Sequence, residues 1–185
     1  ILMVLSAALM LHYRHRIGFM LDDWAFVIYR AEGNPGDYLD PHNEHISILP
    51  VAAYKLFLAI FGMGAATPLH VLSVLVFLLS VVALFFYLRL LAGEPAAVIG
   101  CAVILFLGAA WEDLLWAFQL GFFLSMAGGL GGLVMLRRED SAGDRIACLF
   151  FCVAMTSSSM GIPFMAGALV QILARRDRRL SRLWV

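Results

Sequence analysis

The chain has 185 residues, of which 63% are hydrophobic and 14% are charged, with zero formal net charge and a mean hydropathy of +0.91. Ordinary soluble domains are roughly half apolar and about a quarter charged, so this composition excludes that class. The balanced charge and the lack of a basic stripe argue against nucleic acid as a partner. Apolar residues arranged in blocks predict an all-α fold, a multi-pass transmembrane helical bundle.

Six apolar runs predict membrane-spanning helices. In chain order they lie near residues 1–11, 69–91, 96–111, 114–136, 145–158 and 161–174. The chain begins inside the first run and ends on a basic cluster followed by a new apolar start. We therefore expect residues 1–185 to form a single transmembrane domain, the N-terminal part of a longer membrane protein. The three cysteines all fall in apolar runs, which predicts a packing role.

A further apolar stretch, residues 46–63, carries Pro50 early and Lys55 near its middle. A lysine at the bilayer centre costs roughly 3 kcal/mol on insertion scales. The stretch therefore favours an amphipathic helix lying along the membrane interface, within a first exoplasmic loop of about residues 12–63. A full crossing of the membrane is the alternative.

Arginine placement predicts which side the loops face. If residues 46–63 do not cross, nine of the thirteen basic residues fall on one side: Arg89, Arg137, Arg138, Arg145, Arg175, Arg176, Arg178, Arg179 and Arg182. Eight of the thirteen acids fall on the other: Asp22, Asp23, Glu32, Asp37, Asp40, Glu44, Glu112 and Asp113. The positive-inside rule places the acidic side in the exoplasm, although Arg14 and Arg16 beside the first span oppose this orientation.

The acid pair of Asp22-Asp23-Trp24 lies in this first loop. One interpretation is a helix start, where acids complement the dipole and tryptophan anchors at the interface. The other is a partly desolvated carboxylate that acts as a general base or a metal ligand. The pattern by itself leaves both open.

A second polar motif, His42-Asn43-Glu44-His45, follows in the same loop after Pro41. On a helix the two histidines would share a face and could bind a metal, whereas Pro41 favours a loop-to-helix junction. The alternatives are a solvated loop and a set of groups that bind substrate or support the acid pair.

Two other turns are predicted on the same side of the membrane. Glu112 and Asp113 lie between two tryptophans, as in a short hairpin with an aromatic belt. Gln119, seven residues after Glu112 on a predicted helical face, is a polar amide in an apolar run and needs a partner. The turn Thr156-Ser157-Ser158-Ser159 precedes Pro163 and predicts a helix start that is capped by serine or binds phosphate.

The order and shared side of these motifs resemble the GT-C glycosyltransferases. These integral-membrane enzymes use polyprenyl-phosphate sugars and include protein O-mannosyltransferases and lipid A aminoarabinose transferases. The resemblance rests on Asp22-Asp23-Trp24, Pro41-His42-Asn43-Glu44-His45, Trp111-Glu112-Asp113 with Gln119, and Thr156-Ser157-Ser158-Ser159-Met160-Gly161.

The resemblance implies an enzyme of the cell envelope in the bacterial plasma membrane. It implies transfer of a hexose or pentose from a polyprenyl-phosphate donor to a hydroxyl of a glycan, lipid or protein acceptor on the exoplasmic face. The catalytic carboxylate maps onto Asp22 or Asp23, and Arg14, Arg16, Arg30 and the serine turn are available to stabilise the leaving phosphate. The predicted substrate-binding residues are His42, Asn43, Glu44, His45, Glu112, Asp113, Gln119, Ser158 and Ser159. No cofactor is required, and a divalent metal stays open.

The alternative function is a transporter or ion-handling protein in which Asp22, Asp23, His42 and His45 form an outer vestibule. Acids and histidines are nearly absent from the predicted spans, where an ion path needs them. The sequence therefore favours the enzyme.

Overall fold

The computed structural model of the protein describes residues 1–14, 17–30, 34–138 and 140–174. These residues are almost entirely helical, and their only strand-like pairing is an isolated bridge between His42 and His45. The predictions made for Arg16, Glu32, Arg175, Arg176, Arg178, Arg179 and Arg182 lie outside the described residues.

Eight α-helices follow one another in the described part of the chain. They are α1 Leu2–Arg14, α2 Ile48–Phe61, α3 Ala66–Ala92, α4 Glu94–Leu105, α5 Trp111–Leu115, α6 Leu120–Met135, α7 Ser141–Ser157 and α8 Gly161–Ala174. A π-helical turn covers Ala25–Tyr29, and short 3₁₀ turns cover Pro35–Tyr38, Gly62–Ala65, Gly108–Ala110, Ala117–Gln119 and Leu136–Arg138.

Two helical runs among the described residues, Ile48–Ala92 and Ala117–Arg138, are long and apolar enough to cross a membrane. A third arises if α4 and Gly108–Leu115, which meet at a 40° bend, are taken as one broken span. Helices α1 and α8 are apolar but shorter. The described residues are thus all-helical with two or three candidate membrane spans, and the six crossings predicted from the sequence stay a prediction.

Two predicted spans end differently in the structure. The run near residues 96–111 stops being α-helical at Leu105, and the run near 114–136 is interrupted at Trp116, whose backbone is extended. Trp116 donates its indole N–H to the Met20 carbonyl at 3.1 Å and stacks on Phe118. These tertiary contacts hold a conformation that local helix propensity alone does not favour.

The stretch predicted to lie along the interface forms α2, which has 14 residues and ends at Gly62. Gly62 has φ +54°, a conformation that glycine adopts without steric cost. At 1.5 Å per residue α2 is about 21 Å long, less than a hydrocarbon core of roughly 30 Å. Lys55 on α2 bonds to the first loop, donating to the Arg30 carbonyl at 2.6 Å and to Asp37 at 2.8 Å. The orientation of α2 relative to the membrane stays a prediction.

Helix α6 is the centre of the bundle and packs most extensively against α7 and α3. Its glycines make this close packing possible, because they carry no side chain between the helices. A Cβ added at Gly128 would lie 2.5 Å from the Phe150 carbonyl oxygen, and one added at Gly132 would lie 2.5 Å from the Phe151 ring. The N-terminal end of α6 and the α7–α8 turn lie at one end of this core, and the first loop is bonded to both.

Candidate functional site

The turn Met20–Asp23 sends the two neighbouring acids into different environments. The Asp23 N–H donates to the Met20 carbonyl, and the Met20 N–H donates to Asp23 Oδ2, each at 3.0 Å, in the reciprocal manner of a capping box. Between them Leu21 has φ +48°, which is uncommon for a residue other than glycine. As a result Asp23 is fully buried, whereas the Asp22 side chain is 39% exposed.

Asp23 lies in a buried polar cluster. Its Oδ1 accepts a hydrogen bond from the Tyr54 hydroxyl on α2, and His70 on α3 is within electrostatic range. Burial raises the pKa of the Asp23 carboxyl above its ordinary value, because desolvation outweighs the lowering effects of the Met20 N–H, the Tyr54 hydroxyl and His70. Asp23 is therefore a carboxyl group whose proton is bound more tightly than usual.

Asp22 is the accessible acid of the pair. Its Oδ2 accepts a hydrogen bond from Asn43 Nδ2 at 3.2 Å and lies 3.6 Å from His42 Nε2. The His42 ring lies between the edges of Phe26 and Phe118, with centroids 5.3 Å from each. The aromatic rings hold His42 in place, so Asp22 has an amide and an imidazole beside one oxygen and an open side towards solvent.

The His42–His45 motif is a hairpin turn rather than a helix. His42 and His45 exchange backbone hydrogen bonds of 3.0 and 2.9 Å, and the two central residues, Asn43 and Glu44, have φ +48° and +65°. Positive φ at both positions is the pattern of a type I′ turn. The two histidines therefore do not share a helical face: His42 lies against Asp22, and His45 against Ser159. Across the described ranges, no three His, Cys, Asp or Glu residues are grouped as metal ligands.

The hairpin is joined to the α7–α8 turn through His45. Its Nδ1 shares a hydrogen bond with Ser159 Oγ, 114 positions further along the chain, and its ring meets the Phe122 edge at 5.4 Å. Ser158 is buried, and its Oγ accepts from the Met160 N–H at 3.3 Å, just before α8 begins. Of the predicted binding residues, Ser159 thus links the α7–α8 turn to the first loop, and Ser158 acts as a local cap.

The third polar segment, Trp111–Gln119, meets the first loop through the bond of Trp116 to Met20. Gln119 finds its partner within this segment, donating to Asp113 Oδ1 at 2.8 Å. The extended backbone at Trp116 separates α5 from α6, so the predicted common helical face of Glu112 and Gln119 is wrong. Glu112 is exposed on α5.

Two cations of the first loop and α2 are held by neighbouring groups. Arg30 is buried, stacks over the Phe26 ring at 4.9 Å and donates to the Asp40 carbonyl at 2.9 Å. Lys55 forms an ion pair with Asp37 at 2.8 Å. Arg14, at the end of α1, donates to the Thr67 carbonyl at 3.3 Å. These bonds tie the loop to α2 and tie α1 to α3.

Sequence reasoning missed two members of the cluster around Asp23. The sequence patterns identified neither Tyr54 nor His70 as a neighbour of Asp23. A signal existed for His70, because an imidazole just inside a long apolar run needs a polar partner. Tyr54 gave no comparable signal, since a tyrosine in an amphipathic helix is ordinary.

No protein-family model, no curated protein and no solved structure matches this chain.

Proposed function

We propose that the chain is part of a membrane glycosyltransferase. It transfers a sugar from a polyprenyl-phosphate donor to an acceptor hydroxyl on the exoplasmic face, with Asp22 as the general base. The observation that carries the proposal is the position of Asp22: a half-exposed carboxylate, held by Asn43 and His42, in a loop that is bonded to the two other polar segments.

The chemistry requires one proton to be removed. As the acceptor oxygen bonds to the anomeric carbon, the bond from that carbon to the donor phosphate breaks, and the phosphate leaves with the electron pair. The acceptor proton moves to Asp22, a role for which a carboxylate within about 2.6–3.2 Å is suited. Both side-chain contacts of Asp22 in the described part of the chain fall on Oδ2. Oδ1 is then the oxygen that receives the proton.

Asp22 is favoured over Asp23 on grounds of access. Both oxygens of Asp23 already accept hydrogen bonds, from the Met20 N–H and the Tyr54 hydroxyl, and the residue is fully buried. An acceptor hydroxyl cannot reach it without displacing one of these donors. This assigns different roles to two acids that the sequence left equivalent.

The membrane setting supports a lipid-linked donor. A polyprenyl tail stays in the bilayer, so an enzyme that uses it needs spans to lie beside it and a polar site at the surface. The two or three candidate spans and the polar segments at one end of α6 fit this requirement. The arginine asymmetry favours the exoplasmic side for that end, and the resemblance to GT-C enzymes favours the bacterial plasma membrane. Glu44, Glu112, Asp113 and Gln119 are the remaining groups proposed to contact sugar or acceptor.

Ion handling is the second candidate, and one observation favours it. His70 Nε2 and Ser73 Oγ on α3, with Ser125 Oγ on α6, are buried and have no hydrogen-bond partner among the described residues. Buried polar groups inside membrane helices often mark an ion or proton path. Uptake of a pH-sensitive dye or of radiolabelled ions by proteoliposomes, with no sugar transfer, would favour this candidate.

The test of the enzyme is the Asp22→Asn variant of the full-length protein, assayed for sugar transfer from polyprenyl-phosphate donors at matched membrane expression. Loss of the base should reduce turnover by about 10²–10⁴-fold. Asp40→Asn is the matched control, because its side chain is 69% exposed in the same loop and it should retain activity. Near wild-type turnover of Asp22→Asn would overturn the assignment.

A further inference from the structure

A buried polar cluster lies directly behind the proposed base. Asp23, Tyr54 and His70 are 0%, 1% and 2% exposed and come from the first loop, α2 and α3, respectively. Their surroundings are apolar and include the buried side chains of Phe26 and Leu69. Desolvating a carboxyl group is unfavourable unless specific hydrogen bonds replace water. A cluster of this kind on three separate elements therefore calls for an explanation beyond packing.

Tyr54 supplies the bond that ties the first loop to α2. Its hydroxyl donates to Asp23 Oδ1, and its ring packs edge-on against Phe26 at 5.2 Å. The other Asp23 oxygen accepts from the Met20 N–H. The Met20 carbonyl in turn accepts from Trp116. One carboxyl group thus connects α2, the Met20–Asp23 turn and the segment that leads into α6.

His70 supplies the polar neighbour from α3. Its Nδ1 lies 2.6 Å from the Ala66 carbonyl, and because a carbonyl only accepts, the ring proton is on Nδ1. Nε2 is buried and without a hydrogen-bond partner in the part of the chain that the structure describes. The ring is thus bound to the backbone of its own helix, and its Nε2 is the unsatisfied polar atom of the cluster.

We propose that Tyr54 is a positioning residue that fixes Asp22 through the backbone of Asp23. The proposal rests on the proposed function of Asp22. The mechanism is geometric: anchoring Asp23 on the inner side of the turn fixes the adjacent Asp22 on the outer side, where Asn43 and His42 meet its Oδ2. A displacement of about 1 Å in a reacting group can cost around 10²-fold in rate. The base therefore depends on Tyr54, a residue that does not touch it.

The experiment compares Tyr54→Phe with wild type in the full-length protein. Tyr54→Phe keeps the ring and removes only the hydroxyl that donates to Asp23. Tyr87→Phe, a half-buried tyrosine on α3 in another cluster, is the matched control.

Two readouts are taken on the monodisperse, folded fraction of each variant. The first is kcat and KM for sugar transfer. Tyr54→Phe should lower kcat by about 10–100-fold with KM within about twofold. The second is amide hydrogen exchange over residues 17–30, which should be faster in Tyr54→Phe and unchanged in Tyr87→Phe.

The outcomes separate this proposal from the function on which it rests. If Asp22→Asn loses turnover while Tyr54→Phe keeps wild-type kcat, positioning is overturned and the base assignment stands. If Asp22→Asn keeps full turnover, or no transfer occurs, the proposed function fails. Hydrogen exchange over residues 17–30 then tests the positioning role of Tyr54 by itself. A wild-type exchange rate in Tyr54→Phe would overturn that role as well.

Discussion

Turns at the two ends of the helical core each carry an aspartate, and these two acids lie in opposite environments. At the site end, Asp23 closes the Met20–Asp23 turn and is buried against Tyr54 and His70. At the opposite end, Asp140 caps α7, accepts the Gly143 N–H at 2.5 Å and pairs with Arg138 at 3.1 Å in solvent. Both acids hold a turn, but only the first does so at the cost of desolvation.

The contrast shows in their titration. Burial raises the pKa of Asp23, whereas the Gly143 N–H and Arg138 lower the pKa of Asp140. An exposed capping acid ends a loop with little loss of free energy, because water and the helix dipole both favour its charge. We infer that the buried arrangement at the site end serves to fix the geometry of the turn there. The exposed cap at the opposite end has no such function.

The largest expected effect on stability should come from a substitution that disrupts the helical core between the two ends. A Cβ at Gly128 would meet backbone atoms of α7, which cannot move aside as a flexible side chain can. We expect Gly128→Ala to destabilise the protein by about 1–3 kcal/mol, and Gly128→Leu to abolish the monodisperse peak in detergent. Gly64→Ala, at an exposed glycine with no atom within 4 Å of the added Cβ, is the control. Equal thermal stability of Gly128→Ala and Gly64→Ala would contradict the close packing.

A smaller effect should come from releasing the hairpin at the site end alone. Ser159→Ala removes the partner of His45, a bond worth about 0.5–1.5 kcal/mol net. We expect faster hydrogen exchange over residues 40–47 and little change over residues 140–146. Thr156→Val is the control, because the Thr156 hydroxyl bonds only within α7, to Cys152 and Val153. Unchanged exchange in the hairpin would show that the aromatic contacts suffice to hold it.

Asp23 should impose a pH dependence of defined sign. Because its folded pKa lies above the unfolded value of about 3.8, its contribution to stability is full at low pH and is lost as pH rises through the folded pKa. The melting temperature of wild type should therefore fall over that window relative to Asp23→Asn. Asp40→Asn should follow wild type. Parallel curves for wild type and Asp23→Asn would mean that the carboxyl titrates normally.

Asp140 should impose a pH dependence of stability with the opposite sign, and this effect should be the smallest of those predicted. Its folded pKa lies below 3.8, so its contribution is present above that value and is lost as pH falls through the folded pKa. Asp140→Asn keeps a capping side chain, and its melting curve should differ from wild type only above this window. A thermal shift series in buffers from acidic to neutral pH measures both acids in one experiment. Matching signs for Asp23 and Asp140 would refute the comparison between the two ends.

Much of the helical framework follows from the sequence. The predicted run 161–174 coincides with α8, and the run 145–158 differs from α7 mainly in omitting the capped first turn at Ser141. The ends of long apolar blocks predict the ends of helices, because a helix satisfies the hydrogen bonding of every backbone group in lipid. The break at Trp116 was not predictable, since it depends on a contact with Met20, 96 positions away.

The site was predictable as a set of residues and not as a geometry. The sequence identified Asp22, His42 and Ser159, but it contained no signal that neighbouring acids face opposite ways. That division depends on the left-handed backbone of Leu21 and on the bond from Tyr54. The hairpin was also hidden, because Asn43-Glu44 lacks the glycine that usually marks a type I′ turn.

The His45–Ser159 bond has a consequence for biosynthesis. The two partners are 114 positions apart, and ribosomes add about 5–20 residues per second, so roughly 6–23 s separate their appearance. The proposed base is therefore translated before the partner of its loop, and the loop reaches its final arrangement only after the α7–α8 turn has been made. Synthesis of that turn is thus the step that allows the first loop to reach its folded form.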